Sequence, residues 1–355
     1  MVAVVTLAVL AVLLAMVLGN LSAAPHTIDL AGDWSAHTER ATTPQPVKVP
    51  FHASSIGVGV EEPVILERTV DLGPMAPDQG LLIEGAQYHM RVAWDGVILA
   101  SMGALAGPHT ISMRDRLVIP IPAELRAPGP HRLSITVQGE HGRAGLWGEV
   151  RLGPISDLER RAASRTAERL ALCAMLITAS ILGLVISAVR PAQREFLWFG
   201  MFCAAAAASV FSGDDSWWLA NDRLDLKLRV HTAAYALIPG SGLLFVQALV
   251  ARRAGPIIGM VLGLGGLLGV LALGLPDTAA LPHLDLAIDG TAAVTLVVAL
   301  LQLRRALKDG VDAASSLFLA VSFLVVAAVT ERAAVELGAF GLRLLLPAFL
   351  RKRSE

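Results

Sequence analysis

The sequence predicts a multidomain membrane protein, an antiparallel β-sandwich ectodomain followed by an all-α bundle of seven transmembrane helices. Three observations predict it. The 355 residues are 54% hydrophobic and only 17% charged, where ordinary soluble domains carry about 25% charged residues. After residue 170 the apolar residues fall in runs long enough to cross a bilayer. Between residues 26 and 155 they come instead in short stretches bounded by Gly, Pro or Asp, the pattern of strands and turns.

Residues 1–24 read as a targeting segment. Val2 to Leu18 is almost wholly apolar, and the small residues Ser22-Ala23-Ala24 follow as a cleavage site would require. No basic residue precedes the apolar run and Pro25 follows Ala24, so an uncleaved anchor is the alternative. In either case residues 26–155 are expected to be exported.

In that stretch Val64 to Leu72 alternates, with Leu66, Arg68, Val70 and Leu72 on one face and Arg68 as the one break. Gly80 to Glu84, Met90 to Trp94, Arg116 to Ile119 and His131 to Val137 read as further strands. Asp95-Gly96 is a hairpin signal, because both central positions of the preferred two-residue turn need positive φ. Trp34, Trp94 and Trp147, with Tyr88, His52, His89 and Asp95, are the candidate ligand-binding residues, since aromatic faces and polar edges suit a sugar ring. Packing of Trp34 and Trp94 in the core is the alternative.

The order Gly32-Asp33-Trp34, Val47-Lys48-Val49-Pro50, Val64 to Leu72, Ile83-Glu84-Gly85-Ala86, Val92 to Leu99 and Pro128 to Leu133 resembles the galactose-binding-like jelly roll. Such sandwiches stand beside sugar-cleaving domains and in the exported part of bacterial seven-helix sensors. The expected domains leave no room here for the separate catalytic barrel, so glycosidase activity is not implied.

A charged, helical-looking linker occupies residues 156–169, and the membrane domain covers 170–350. Spans are expected at 170–189, 195–212, 231–250, 255–275, 286–303, 314–330 and 335–350. The loops assigned to the cytoplasm carry Arg190, Arg194, Arg252, Arg253, Arg304, Arg305 and Lys308, and the tail, 351–355, adds Arg351, Lys352 and Arg353. The opposite loops carry Arg223, Lys227, Arg229 and Arg332. Ten against four is the asymmetry of the positive-inside rule. Arg160, Arg161, Arg165 and Arg169 would narrow it, but an exported domain is translocated largely regardless of charge. The expectation is a bacterial inner-membrane protein with a cytoplasmic C-terminus.

Gly255, Gly259 and Gly263, and the pair Gly265 and Gly269, would let helices approach closely in lipid. Glu195, His231, Gln247, Asp285, Asp289, Gln302, Glu331 and Glu336 are the polar residues in or near spans, most of them near span ends where water is in reach. No expected span carries a lysine for a retinal Schiff base. Cys173 and Cys203 lie in apolar runs, so no disulfide framework is expected. No catalytic motif, metal-ligand set or cofactor is read from the sequence, and 29 basic against 30 acidic residues give no field for nucleic acid.

Sandwich, linker and spans together, with Gly145 to Pro154, Glu195 to Gly200 and His231-Thr232-Ala233, resemble the bacterial seven-transmembrane receptors with diverse intracellular signalling modules. The resemblance implies a sensor that binds an extracytoplasmic ligand, a carbohydrate among the candidates. Members usually continue into a kinase or cyclase, and only five residues follow the last expected span here. Output is therefore expected from a separate protein partner, unless the chain is a truncated product. The alternatives are an assembly subunit of an envelope complex, or a membrane enzyme or transporter for a lipid-linked substrate using Asp214, Asp215, Asp285 and Asp289.

Overall fold

A computed structural model describes residues 27–41, 43–49, 51–52, 56, 62–73, 78–86, 89–102, 114–138, 145–146, 148–213, 224–250, 256–275, 280–311, 314–315, 318–319 and 321–322. The expected targeting segment, the seventh span, the tail, most of the sixth span, and Tyr88, Trp147, Asp214 and Asp215 lie outside these residues.

Among the described residues twelve strands form two antiparallel sheets: β1 Ile28–Asp29, β2 Gly32–Thr38, β3 Gln45–Val49, β4 Phe51–His52, β5 Val64–Leu72, β6 Gln79–Ala86, β7 His89–Trp94, β8 Val97–Met102, β9 Arg114–Pro120, β10 Gly129–Gln138, β11 Gly145–Leu146 and β12 Val150–Pro154. One sheet runs β3-β2-β5-β10-β7-β8. The other runs β1-β12-β6-β11-β4, with β9 also paired to β6. Alternation along each strand turns one set of side chains inward. Trp34, Leu66, Val92, Trp94, Leu133 and Ile135 from the first sheet share a buried core with Leu81, Ile83, Ile119, Val150 and Leu152 from the second.

Arg68 breaks the β5 alternation for a visible reason. Its guanidinium donates to the carbonyls of Leu30 at 2.6 Å and Ala31 at 3.0 Å, so backbone acceptors satisfy the charge at this position. The Asp95-Gly96 turn has φ of 50° and 82°, as the hairpin signal requires.

Five long helices follow: α1 Ile155–Val189, α2 Arg194–Gly213, α3 Leu224–Leu249, α4 Pro256–Gly274 and α5 Leu281–Lys308. Four of them (α1, α2, α3 and α5) are long and apolar enough to cross a membrane, and α4 is a shorter apolar helix. Among the described residues this gives five of the seven expected helices. Open apolar side chains such as Ile181, Val185 and Val189 on α1 are what hydrocarbon covers.

Two boundaries differ from expectation. The charged stretch 156–169 is no separate element: α1 runs unbroken for 35 residues, because neither Gly nor Pro occurs from 155 to 182 and Asp157 pairs with Arg160 along the helix. The third span begins earlier than residue 231, so Lys227 and Arg229 lie within α3 rather than in a loop, and Lys227 is buried. Arg229 donates to the carbonyls of Leu273, at 3.3 Å, and Leu275, a cation placed where the end of α4 concentrates negative partial charge.

Contacts divide the chain into two compact units. One comprises residues up to 178 with 207–232 and 272–284, the other 179–206, 233–271 and the remainder. In the second, a Cβ on Gly265 would meet the Ala236 carbonyl oxygen at 2.8 Å, whereas Gly259 and Gly263 have nothing within 4 Å. Close packing of α4 on α3 therefore uses the Gly265 and Gly269 pair, and the Gly259 and Gly263 stripe makes no such contact among the described residues. Tyr235 donates to Asp289 at 2.9 Å in the same unit.

Candidate functional site

The sandwich carries a polar groove of about 360 Å³ lined by Ser35, Glu67, Arg68, Thr69, Asp95, Pro130, His131 and Arg132. Strand register builds it: Ser35 lies opposite Glu67 across β2 and β5, and Thr69 opposite Arg132 across β5 and β10. Arg132 Nη2 donates to both oxygens of Glu67 at 2.6 Å.

Asp95 reaches across from the β7–β8 turn. Its Oδ1 accepts the Arg132 backbone N–H at 2.7 Å, and its Oδ2 lies 2.6 Å from His131 Nδ1. His131 Nε2 lies 2.5 Å from the Ala127 carbonyl oxygen. Both ring nitrogens thus face acceptors, which suits the doubly protonated imidazolium. Burial opposes that charge, but the hydrogen bonds to Ala127 and Asp95 and the charges of Asp95 and Asp71 outweigh it and hold His131 above its ordinary range. The Arg132 N–H, then His131, hold the Asp95 carboxyl below its own.

Of the residues expected to meet a ligand, Asp95 is in this groove. Trp94 is fully buried beneath it, stacked on His131 with ring centroids 5.2 Å apart, its indole N–H donated to Leu125. Trp34 is buried too and donates to the Leu30 carbonyl at 2.8 Å. Neither indole offers a face to solvent, so their place is the core. His89 is buried in β7, away from the residues lining the groove. His52 lies in β4, on the other sheet. In the sequence His131, Arg132 and Glu67 show only a strand pattern; what joins them to Asp95 is register, which no local motif announces.

A second cluster lies where the sandwich passes into α1. Strand β12 ends at Pro154 and α1 begins at Ile155, with no loop between them. The Ile155 N–H donates to the Asp78 carbonyl at 3.0 Å. Glu149 Oε2 accepts Arg151 Nε and Arg161 Nη2, each at 2.8 Å. Arg116 on β9 donates to the Ala162 carbonyl at 3.3 Å and to Thr166 Oγ1 at 2.6 Å. Burial acts against the Glu149 charge, but Arg151 and then Arg161 more than compensate and hold its carboxyl below the usual range. Glu84 is the reverse case, raised by burial and by the Glu149 charge despite Arg165, Arg161 and Arg116.

Among the described residues no group of three or more His, Cys, Asp or Glu side chains is arranged to hold a metal ion. Cys173 and Cys203 are buried thiols, not joined in a disulfide.

No protein-family model matches the chain, and no curated protein does. Among solved structures, a beta-D-mannosidase from Dictyoglomus thermophilum is similar at 12% identity and TM-score 0.30, over 36% of this chain and 22% of that one. An FMN-binding beta-glucuronidase from Facaelibacterium prausnitzii L2-6 is similar at 16% identity and TM-score 0.30, over 36% and 22%. A GH2 beta-galacturonidase from Eisenbergiella tayi is similar at 14% identity and TM-score 0.29, over 36% and 24%. The chain therefore spans under a quarter of the length of these enzymes, and none of their activities is carried over.

Proposed function

We propose that the protein is a transmembrane sensor of the seven-helix receptor type, set in a bacterial inner membrane with its sandwich outside and its C-terminus in the cytoplasm. Ligand enters the groove at Glu67, Asp95, His131 and Arg132, and α1 carries the response to a partner that supplies the output. The observation that carries this reading is the direct passage of β12 into α1, reinforced by the Glu149–Arg161 and Arg116–Thr166 contacts. A sandwich held to a spanning helix in this way cannot shift without moving that helix. A ligand biases such an element only by its differential affinity for the two states.

The ligand class is carbohydrate. The groove sets two carboxylates, a hydroxyl pair and fixed cationic donors within one volume, the donor and acceptor mixture that sugar hydroxyls satisfy, and a volume of this size admits a mono- or disaccharide. The test is calorimetric titration of the full chain in lipid nanodiscs with D-galactose, D-glucose, D-mannose and their disaccharides. Saturable binding lost in Arg132→Ala supports the reading. Absence of binding to a folded chain, or binding indifferent to Arg132→Ala, overturns the carbohydrate assignment.

A second reading, an assembly subunit of an envelope complex, is favoured by one observation: β8 ends its sheet and leaves Val97 and Ile98 47% and 57% exposed. Apolar residues on a sheet edge are suited to pairing with another chain. A stoichiometric partner lost in Ile98→Lys, with no response to sugar, would establish it.

A further inference from the structure

We propose that the strand-to-helix joint is proton-gated: Glu84 takes up a proton while Glu149 stays ionised, and this tightens the hold of the sandwich on α1. The inference rests on the relay reading of α1 and is independent of which ligand fills the groove.

The geometry makes the two carboxylates unequal. Glu149 accepts from Arg151 and Arg161. Glu84 stands across from Arg116 in the β6–β9 register, and its backbone N–H donates to the Glu149 carbonyl at 2.9 Å, so the two acids belong to one joint. Its Oε1 is nonetheless buried with no hydrogen-bond partner, and Arg161 Nε in the same joint is in the same condition. A buried, unsatisfied carboxylate oxygen is costly while charged and much less so once protonated. Space is closed as well, because a Cβ on Gly148 would stand 2.4 Å from the Glu84 carbonyl oxygen.

The groups facing Glu84 are Arg116 from β9, Glu149 from the approach to β12, and Arg161 and Arg165 from α1. Arg151 is held by Glu149. With two carboxylates against four guanidinium groups, Glu84 can be neutralised while Glu149 keeps its two arginines. Interacting acids of this kind titrate as a pair, and the first proton goes to the member with fewer donors.

The sign follows from linkage. The joined state holds Glu84 above its ordinary value, so the loosened state, in which Glu84 meets water, binds the proton less tightly. Falling pH through the Glu84 range therefore favours the joined state. Glu149 is displaced the other way, so stronger acid that protonates it undoes the joint. The hold is tightest between the two.

The experiment measures the spin–spin distance distribution between nitroxides at Glu124→Cys and Glu159→Cys in the full chain, with Cys173 and Cys203 replaced by alanine, in nanodiscs from pH 8 to pH 4. The expected result is a broad distribution at pH 8 that narrows on acidification with a single midpoint above 4.5, the ordinary Glu value. Glu84→Gln gives the narrow distribution throughout, and Glu84→Asp keeps a transition. No change with pH in the unsubstituted joint overturns the proposal without recourse to any Glu84 variant. So does a Glu84→Gln chain that follows the same transition. Sugar titration of the groove is a separate readout, so its failure leaves this result standing.

Discussion

Glu149, one residue before the last strand of the sandwich, lies 2.8 Å from Arg161 in the second turn of the first spanning helix. This pair, with Arg116 on Thr166 and on the Ala162 carbonyl and the Ile155 N–H on the Asp78 carbonyl, fastens the β-domain to the helix that continues from it.

Arg161→Ala removes a side chain only 11% exposed and leaves Glu149 with Arg151 alone. Loss of a part-buried charged hydrogen bond costs about 1–3 kcal/mol. Chemical unfolding of the full chain in detergent should show that loss, and amide exchange over residues 155–169 should quicken at fixed pH. An Arg161→Ala chain with unchanged exchange there would mean the contact fastens nothing.

The Asp95–His131 pair predicts a pH dependence of sandwich stability. His131 is raised when folded, so its contribution is full below its ordinary value of 6.5 and is lost as pH rises through the folded value. Asp95 is lowered, so its contribution is present above 3.8 and is lost as pH falls through the folded value. Asp95→Asn should remove the Asp95 dependence and weaken the His131 one, because the Ala127 carbonyl and the Asp71 charge still favour the imidazolium. Urea midpoints at pH 5.5 and pH 8 read this directly: the native chain loses stability toward pH 8, and the variant loses less.

Two glycines separate close approach from backbone conformation. Gly148→Ala places a Cβ against the Glu84 carbonyl, an overpacking that costs about 3 kcal/mol. Gly96→Ala meets nothing within 4 Å but must hold φ at 82°, which costs about 1 kcal/mol. Thermal unfolding should rank Gly148→Ala well below Gly96→Ala.

Where α4 packs on α3, Gly265→Leu should disrupt the contact and lower the yield of folded protein in detergent, since its Cβ would meet the Ala236 carbonyl oxygen at 2.8 Å. Gly259→Leu, with open space around it, should leave the yield unchanged. Equal yields would place the helix contact elsewhere.

Much of this architecture is legible in the sequence because it is local. The strand Val64–Leu72 and the span 195–212 emerge within a residue at either end, since alternation and unbroken hydrophobicity are properties of neighbouring residues. The Asp95-Gly96 turn is legible for the same reason. The joint and most of the groove are not. Glu84, Arg116, Glu149 and Arg161 come from four separate stretches and meet only through β6–β9 pairing and the passage of β12 into α1. Composition also misleads at Trp34 and Trp94: an indole suits both a sugar and a core, and only inward register shows which. The continuity of α1 was legible in one respect, the absence of Gly and Pro before Gly183, which the charge pattern obscured.

The most direct test of the account asks on which side of a membrane the two parts stand. Single cysteines at the exposed Thr69 in the sandwich and at Asp309 after α5, in a chain with Cys173 and Cys203 replaced by alanine, are treated with a membrane-impermeant maleimide in intact bacterial cells whose outer membrane has been opened. Residue 69 should label at once, and residue 309 only after the inner membrane is permeabilised. Protection at residue 69, or labelling at residue 309 in intact cells, would contradict it.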